Sequence, residues 1–190
     1  PALLVVSEDQ GFLSKPDTTR EGANSPFALA AHEVAHQWWK LQLNPAKALG
    51  SEMILEGMCQ YTVSQSLEKV FGEAKKEAFL ENEAKNFGRY HRRMKGTESP
   101  LVYSPNASPL IYGKAVMVLE TLRDSLGEER LHQGLKNFFE KYQHAAAPYP
   151  TSLDYVKELR QISPKRLVPL VDELYMTNEV KRLGRMPEEE

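Results

Sequence analysis

Two histidines four residues apart, His32 and His36, enclose a glutamate, Glu33, in residues 31–36 (AHEVAH). Residues i and i+4 share one face of a helix, so both imidazoles can reach a single ion. Zinc binds imidazole nitrogen readily, and a glutamate beside a ligand can take a proton from a zinc-bound water. The pattern therefore predicts a hydrolytic zinc site with His32 and His36 as ligands and Glu33 as the general base. A chance match on a solvated helix is the alternative, because the motif is short.

The residues around this motif are apolar on nearly every side of the predicted helix. A helix that is apolar all round is buried, and buried imidazoles and carboxylates need partners that offset their desolvation. A metal ion is such a partner, so the flanks favour a zinc site over a chance match. The apolar flanking residues are Phe27, Leu29, Ala30, Ala31, Val34, Ala35, Trp38 and Trp39.

A third ligand is expected downstream, because a catalytic zinc takes three protein ligands and keeps one position open for water. Glu56 lies among apolar residues in a second predicted helix, which Ser51 can cap at its N-terminus. We expect Glu56 to be this ligand, with an ordinary helix-face carboxylate as the alternative. Glu52, one turn earlier, is either a surface charge or a group that orients a ligand.

These segments resemble the gluzincin zinc aminopeptidases of the aminopeptidase N family. That family has HExxH, usually followed by Gln-Trp, and then a glutamate in a Glu-Gly type motif on the next helix. Gln37 and Trp38 follow the second histidine here, and residues 55–57 (LEG) fit the later motif. The spacing between the two motifs is one residue longer than the common pattern, which an insertion in the loop at residues 44–46 would absorb. The resemblance implies one zinc ion per chain and release of N-terminal residues from peptide substrates.

The same resemblance implies that Tyr112 stabilises the oxyanion of the reaction. Residues 112–115 (YGKA) match the family's Tyr-x-Lys-Gly motif, with Ala115 in place of the glycine. Peptide hydrolysis forms a tetrahedral oxyanion that needs a hydrogen-bond donor. Without the resemblance, Tyr103 and Tyr61 would be equal candidates, and a core tyrosine is the alternative for Tyr112.

A substrate-binding glutamate, Glu8, is implied in the same way. It follows a β-like run at residues 2–6 and aligns with the family glutamate that binds the free amine of the peptide. The Gly-x-Met half of that family motif is absent, so a zinc endopeptidase is one alternative function. An ordinary loop carboxylate is the alternative for Glu8 itself.

A narrower resemblance links residues 36–39 (HQWW) and 148–153 (PYPTSL) to a branch whose peptidase domains are fused to bacterial ABC-transporter permeases. It implies that this chain is a soluble domain of a parent protein tethered to a bacterial membrane. A non-catalytic zinc-containing regulatory or peptide-sensing domain of such a transporter is the second alternative function.

Composition limits the remaining possibilities. The 190 residues suit one domain, and the net charge of −2 gives no electrostatic basis for binding nucleic acid. The single cysteine, Cys59, excludes an internal disulfide and is expected to be a buried thiol. We expect the other three histidines, His91, His132 and His144, at the surface or at helix ends.

The expected fold is mainly α with a small β remnant at the N-terminus, which is the thermolysin-like catalytic domain that the resemblance implies. We interpret residues 1–177 as this domain, cut from a longer protein, and residues 178–190 as a polar, frayed tail. The pattern predicts one helix that begins at Pro26 after an N-cap at Ser25, and two helices that span residues 51–70 and 73–94. Three further helices are predicted to begin near Tyr112, Gly127 and Thr151.

Overall fold

The computed structural model describes residues 6–8, 26–106 and 109–184, and these residues are mainly helical. Two π-helical segments, Met53–Gly57 and Pro109–Lys114, run directly into α-helices, and short 3₁₀ turns occupy Leu101–Tyr103 and Lys165–Leu167. The α-helices of the described residues are α1 (Pro26–Ala35), α2 (Met58–Phe71), α3 (Glu73–Met94), α4 (Ala115–Leu126), α5 (Glu128–Tyr142), α6 (Ser152–Ile162) and α7 (Val168–Met176).

The N-terminal β remnant is not confirmed. No strand occurs in the described residues, and Glu8 has helical backbone geometry. Most of the expected strand, at residues 2–5, lies outside the part of the chain that the structure describes, as do the expected N-cap Ser25 and the preceding loop.

Helix α1 begins at Pro26, as predicted, because the fixed φ of proline suits the first turn of a helix and its missing N–H is not needed there. The expectation that this helix is buried all round is wrong. Val34 is 41% exposed, and Trp38, in the turns that follow the helix, is 46% exposed. Only the face that carries Ala28, His32 and Ala35 is buried, because α1 packs on α2 and leaves its other side to solvent.

Helices α2 and α3 follow the predicted boundaries. The predicted helix at 51–70 is present, although its stretch Met53–Gly57 is π-helical, and α3 spans the predicted 73–94. The two helices meet at Gly72, whose φ of 88° favours glycine. Ser51 does not cap the first turn: its hydroxyl donates to the backbone carbonyl of Ala48 instead.

The C-terminal half packs α5, α6 and α7 against the rest of the core. Thr151 and Asp154 form the predicted capping box at the start of α6, with Thr151 Oγ1 accepting from the Asp154 N–H. Leu183 is only 3% exposed and belongs to the core, so the chain is packed, and not frayed, at that residue. Among the described residues, the helices are all too short or too polar to cross a bilayer.

Candidate metal centre

The two histidines of the motif converge on one carboxylate oxygen. His32 Nε2 lies 3.0 Å from Glu56 Oε2, and His36 Nε2 lies 3.5 Å from the same oxygen. His36 stands one residue beyond α1, but its N–H still bonds to the carbonyl of His32, 3.3 Å away, so the one-turn spacing persists. Two ligands of one tetrahedral zinc, each about 2.1 Å from the ion, are separated by about 3.4 Å. The two nitrogen–oxygen distances are therefore close to the separation of ligands around a single zinc ion.

The other ring nitrogen of each histidine is held by a separate partner. Gln60 Oε1 lies 3.2 Å from His32 Nδ1, and the backbone carbonyl of Trp39 lies 3.3 Å from His36 Nδ1. Both partners can accept a hydrogen bond from a protonated Nδ1, and each Nε2 faces Glu56. Ligands of zinc are commonly oriented in this way. Sequence reasoning missed Gln60, although it follows Glu56 by one helical turn on the same face.

The two π-helical segments bring Glu56 and Tyr112 to the same place. They approach closely because Gly57 has no side chain: a Cβ there would lie 2.7 Å from the Cβ of Ala115. The Tyr112 ring stacks on His32, with ring centroids 5.7 Å apart and an angle of 22° between the planes. Ala115, the first residue of α4, thus faces Gly57, the last residue of the first π-helical segment. Isolated π turns are frequent at functional sites.

The electrostatics favour an ionised Glu56. Burial opposes its ionisation, but hydrogen bonds with His32, His36 and Tyr112 outweigh that effect and hold the pKa of Glu56 well below its ordinary value. The hydrogen bond to Glu56 in turn raises the pKa of His36. Burial and the neighbouring Glu56 raise the pKa of Tyr112, so its hydroxyl keeps its proton and remains a donor.

Cys59 offers a competing ligand set with the two histidines, since ligand atoms of the three residues lie within 4.8 Å of one another. Its Sγ lies 3.3 Å from His36 Nδ1, the nitrogen on the opposite edge of the ring from Glu56. Burial also raises the pKa of the Cys59 thiol, whereas zinc binds the thiolate. The donor set of His32, His36 and Glu56 therefore fits zinc better, and Cys59 is the buried thiol that its sequence context predicts.

The remaining candidates are placed as follows. Glu33 is half-buried on α1, close enough that its charge disfavours ionisation of the Cys59 thiol. Glu52 is half-buried, and its charge is one of the smaller contributions to the raised pKa of Tyr112. Glu8 is exposed, and its role stays a prediction.

Two of the other histidines have structural partners. His91 Nδ1 bonds to the buried carboxylate of Glu98, and His132 Nε2 lies 2.9 Å from the hydroxyl of Tyr61. Both contacts are outside the centre formed by the motif histidines. His144 has a positive φ of 56° in the connection between α5 and α6.

Comparison with known proteins gives a family and a structural relative. The Peptidase family M1 domain matches residues 2–173. A crystal structure of a variant M1 zinc metallopeptidase from Deinococcus radiodurans, bound to a Tyr-Ser-Ala substrate, superposes with a TM-score of 0.61 at 15% sequence identity. The alignment covers 85% of this chain and 34% of that chain, so this chain spans about a third of the relative's length. Curated protein sequences give no match.

Proposed function

Because the chain belongs to peptidase family M1, we propose that it hydrolyses peptide bonds with one zinc ion held by His32, His36 and Glu56. The observation that carries the proposal is the convergence of both Nε2 atoms on one Glu56 oxygen, at 3.0 and 3.5 Å, with both Nδ1 atoms engaged elsewhere. When bound, zinc supplies Lewis-acid polarisation of the scissile carbonyl. A peptidase of this family acts on peptides, so the substrate class follows.

The proton transfers are assigned to Glu33 and the stabilisation of charge to Tyr112. Glu33 follows the first ligand in the chain; it takes a proton from the attacking water and passes it to the leaving amine. Tyr112 donates a hydrogen bond to the oxyanion as the carbonyl becomes tetrahedral. Two observations support the second role: the hydroxyl keeps its proton beside Glu56, and stacking on His32 fixes the ring.

Zinc analysis of purified variants tests the ligand assignment. We expect one zinc per chain in the wild type and in Glu33→Gln, and loss of the metal in Glu56→Ala. Cys59→Ala tests the competing ligand set and should keep its zinc. His132→Asn is the matched control, because it removes an imidazole that lies outside the centre. Zinc retained by Glu56→Ala, or lost from Cys59→Ala, would show that the assignment is wrong.

Peptide cleavage tests the catalytic assignment. Glu33→Gln should lose about 10²–10⁴-fold in rate while keeping its zinc, because a general base acts on turnover and not on metal binding. A chelator should abolish the wild-type activity. A wild type that binds zinc and cleaves no peptide would favour the non-catalytic sensing domain.

The finer proposal is an aminopeptidase, in which Glu8 binds the free amine of the peptide. It is supported by the resemblance of the Glu8 segment to the family motif and by the family itself. The measurement is the cleavage of one peptide with a free and with an N-acetylated terminus. Preference for the free amine, lost in Glu8→Gln, is the expected result; equal cleavage of both peptides indicates an endopeptidase.

We also propose that the parent protein belongs to the permease-fused branch and is tethered to a bacterial membrane. The support is the sequence likeness at residues 36–39 and 148–153. Fractionation of cells that express the parent protein should place it with the membranes. Recovery in the soluble fraction would refute the membrane tether and would leave the zinc-site proposal unaffected.

A further inference from the structure

A pocket of about 600 Å³ opens beside the metal centre. Gln60, which orients His32, and Tyr112, which stacks on His32, both line it. A molecule that fills this pocket therefore touches the two residues that surround the first histidine. The other lining residues are Glu83, Asn86, Arg89, Tyr90, Arg93 and Pro109.

One face of α3 forms the wall of the pocket. Glu83, Asn86, Arg89, Tyr90 and Arg93 are spaced by three or four residues or lie side by side, and such residues share a helix face. The adjoining face of α3, with Phe79 and Phe87, is buried in the core. The helix that carries the pocket wall is thus held in place by its buried face.

The charge along this wall changes sign with distance from the centre. Glu83 is at the near end: the backbone at Gly113, next to Tyr112, packs on the carbonyl of Glu83, 3.0 Å from where a Cβ would lie. Arg89 and Arg93 follow at about 9 and 15 Å along the axis, since a helix rises about 1.5 Å per residue. A buried carboxyl group is therefore close to the centre, and two guanidinium groups lie farther out.

The two arginines have no carboxylate partner among the described residues. Arg89 donates to Asn86 Oδ1 at 2.6 Å, and the Arg93 guanidinium lies 5.6 Å from the centroid of the Tyr90 ring. By contrast, Arg123 and Arg160 form ion pairs with carboxylates at 2.9 Å or less. Guanidinium groups bind carboxylates through two parallel hydrogen bonds. Both exposed guanidinium groups therefore keep N–H donors for an anion that enters the pocket from outside.

We propose that Arg89 and Arg93 bind a carboxylate of the peptide whose bond is cleaved at the metal centre, and so select substrates. The carboxylate is either the C-terminus of a short peptide or an acidic side chain, which present the same chemical group. The proposal rests on the proposed peptidase function, because the peptide must extend from the centre into the pocket.

Equilibrium binding to the zinc-loaded Glu33→Gln protein tests this, because binding is measured without turnover. The probes are fluorescent hexapeptides in matched pairs: a free C-terminal acid against the amide, and an internal glutamate against glutamine. Arg89→Gln combined with Arg93→Gln should weaken binding of the preferred acid about 10-fold. Binding of its neutral partner should change less than about twofold. The pair that shows the difference identifies the source of the carboxylate.

The matched control is Lys85→Gln combined with Arg92→Gln. Both residues are exposed on the same helix and do not line the pocket. The two substitutions remove the same charge as the arginine double variant does. Arg93→Lys is a second variant, which keeps the charge but loses the two-pronged geometry, and should weaken acid binding by a smaller factor. Equal urea midpoints for all variants would exclude misfolding as the cause.

The result that would overturn the inference is equal binding of acid and neutral peptides by the protein with both arginines. An equal loss in the Lys85/Arg92 control would also overturn it, since the effect would then be one of net charge. The failure of the peptidase proposal looks different: the zinc-loaded wild type then cleaves no peptide, while the dependence of binding on a carboxylate is still measurable. Acid-independent binding in an active peptidase rejects the inference alone.

Discussion

Gly57→Ala is the sharpest test of how the two π-helical segments position the centre. A Cβ at residue 57 would lie 2.7 Å from the Cβ of Ala115 and 3.3 Å from the carbonyl oxygen of Ile111. Non-bonded carbon atoms pack best at about 3.5–4.0 Å, so the added methyl group must push the segments apart. Glu56 and Tyr112 lie beside this contact, and their relative position should shift with it.

Two terms set the size of the effect. Overpacking costs about 1–3 kcal/mol. Against this, Gly57 has helical angles, φ −62° and ψ −39°, so alanine gains about 1 kcal/mol of helix propensity there. We expect Gly57→Ala to lower the free energy of unfolding by about 0–2 kcal/mol.

The opposite substitution, Ala115→Gly, should cost about 2 kcal/mol through lost propensity and one lost buried methyl group. In the double variant the propensity changes cancel and a single methyl group again fills the contact. Its stability should therefore lie within about 1 kcal/mol of the wild type, with a coupling energy of about 3 kcal/mol.

Urea unfolding of the metal-free protein, followed by circular dichroism, measures these free energies without a contribution from bound zinc. Gly184→Ala is the matched control, because a Cβ there meets no atom within 4 Å, and it should change stability little. Zinc content and peptide cleavage, measured on the same variants, should fall in Gly57→Ala and recover in the double variant. If the losses of the two single variants simply add in the double variant, the 2.7 Å contact is not what constrains residue 57.

Three further predictions concern the centre itself. Tyr112→Phe should lower kcat by about 10²–10³-fold and leave KM and zinc content nearly unchanged, because the hydroxyl acts only in the transition state; an effect confined to KM would refute this role. Gln60→Ala should weaken zinc binding about 10–100-fold in a chelator competition, since it frees His32 Nδ1; unchanged affinity would make Gln60 a bystander. Because the pKa of His36 is raised in the folded protein, protonation of His36 stabilises the metal-free protein. This stabilisation is complete at pH values below 6.5, the ordinary pKa of histidine, and it is lost as the pH rises through the raised pKa. Zinc affinity should change in the opposite sense, rising with pH as His36 loses its proton. Urea midpoints at several pH values measure the stability, zinc titrations measure the affinity, and His36→Asn is the comparison for both.

The helix boundaries were predictable where local signals are strong. Helix α3 lies between Gly72 and the αL residue Lys95, and the glycine that precedes it is visible in the sequence. The capping box of Thr151 and Asp154 is a pattern of two residue types at a fixed spacing, and it forms as expected. Such features depend on neighbours within one turn, which a sequence displays directly.

Features that depend on distant packing were not predictable. The apolar flanks of the histidine motif suggested burial on every side, yet Val34 and Trp38 are exposed because α1 packs on one side only. Gln60 was missed because its role depends on the direction of the His32 ring, a property of tertiary structure. Without the family resemblance, Tyr112 could not be distinguished from the other tyrosines as a site residue, because its stacking on His32 joins residues 80 positions apart.

The π-helical geometry at Glu56 offers a second explanation for the extra residue between the histidines and the third ligand. Sequence reasoning placed that residue in the loop near 44–46. A π turn holds one residue more between its hydrogen-bonded groups than an α turn does, and Glu56 itself lies within the π segment Met53–Gly57. The segment therefore rotates the residues before it by one position relative to those after it. Gln60 can then stay at Nδ1 of His32 while Glu56 meets its Nε2, so one local distortion is enough to reconcile the longer spacing with a three-ligand centre.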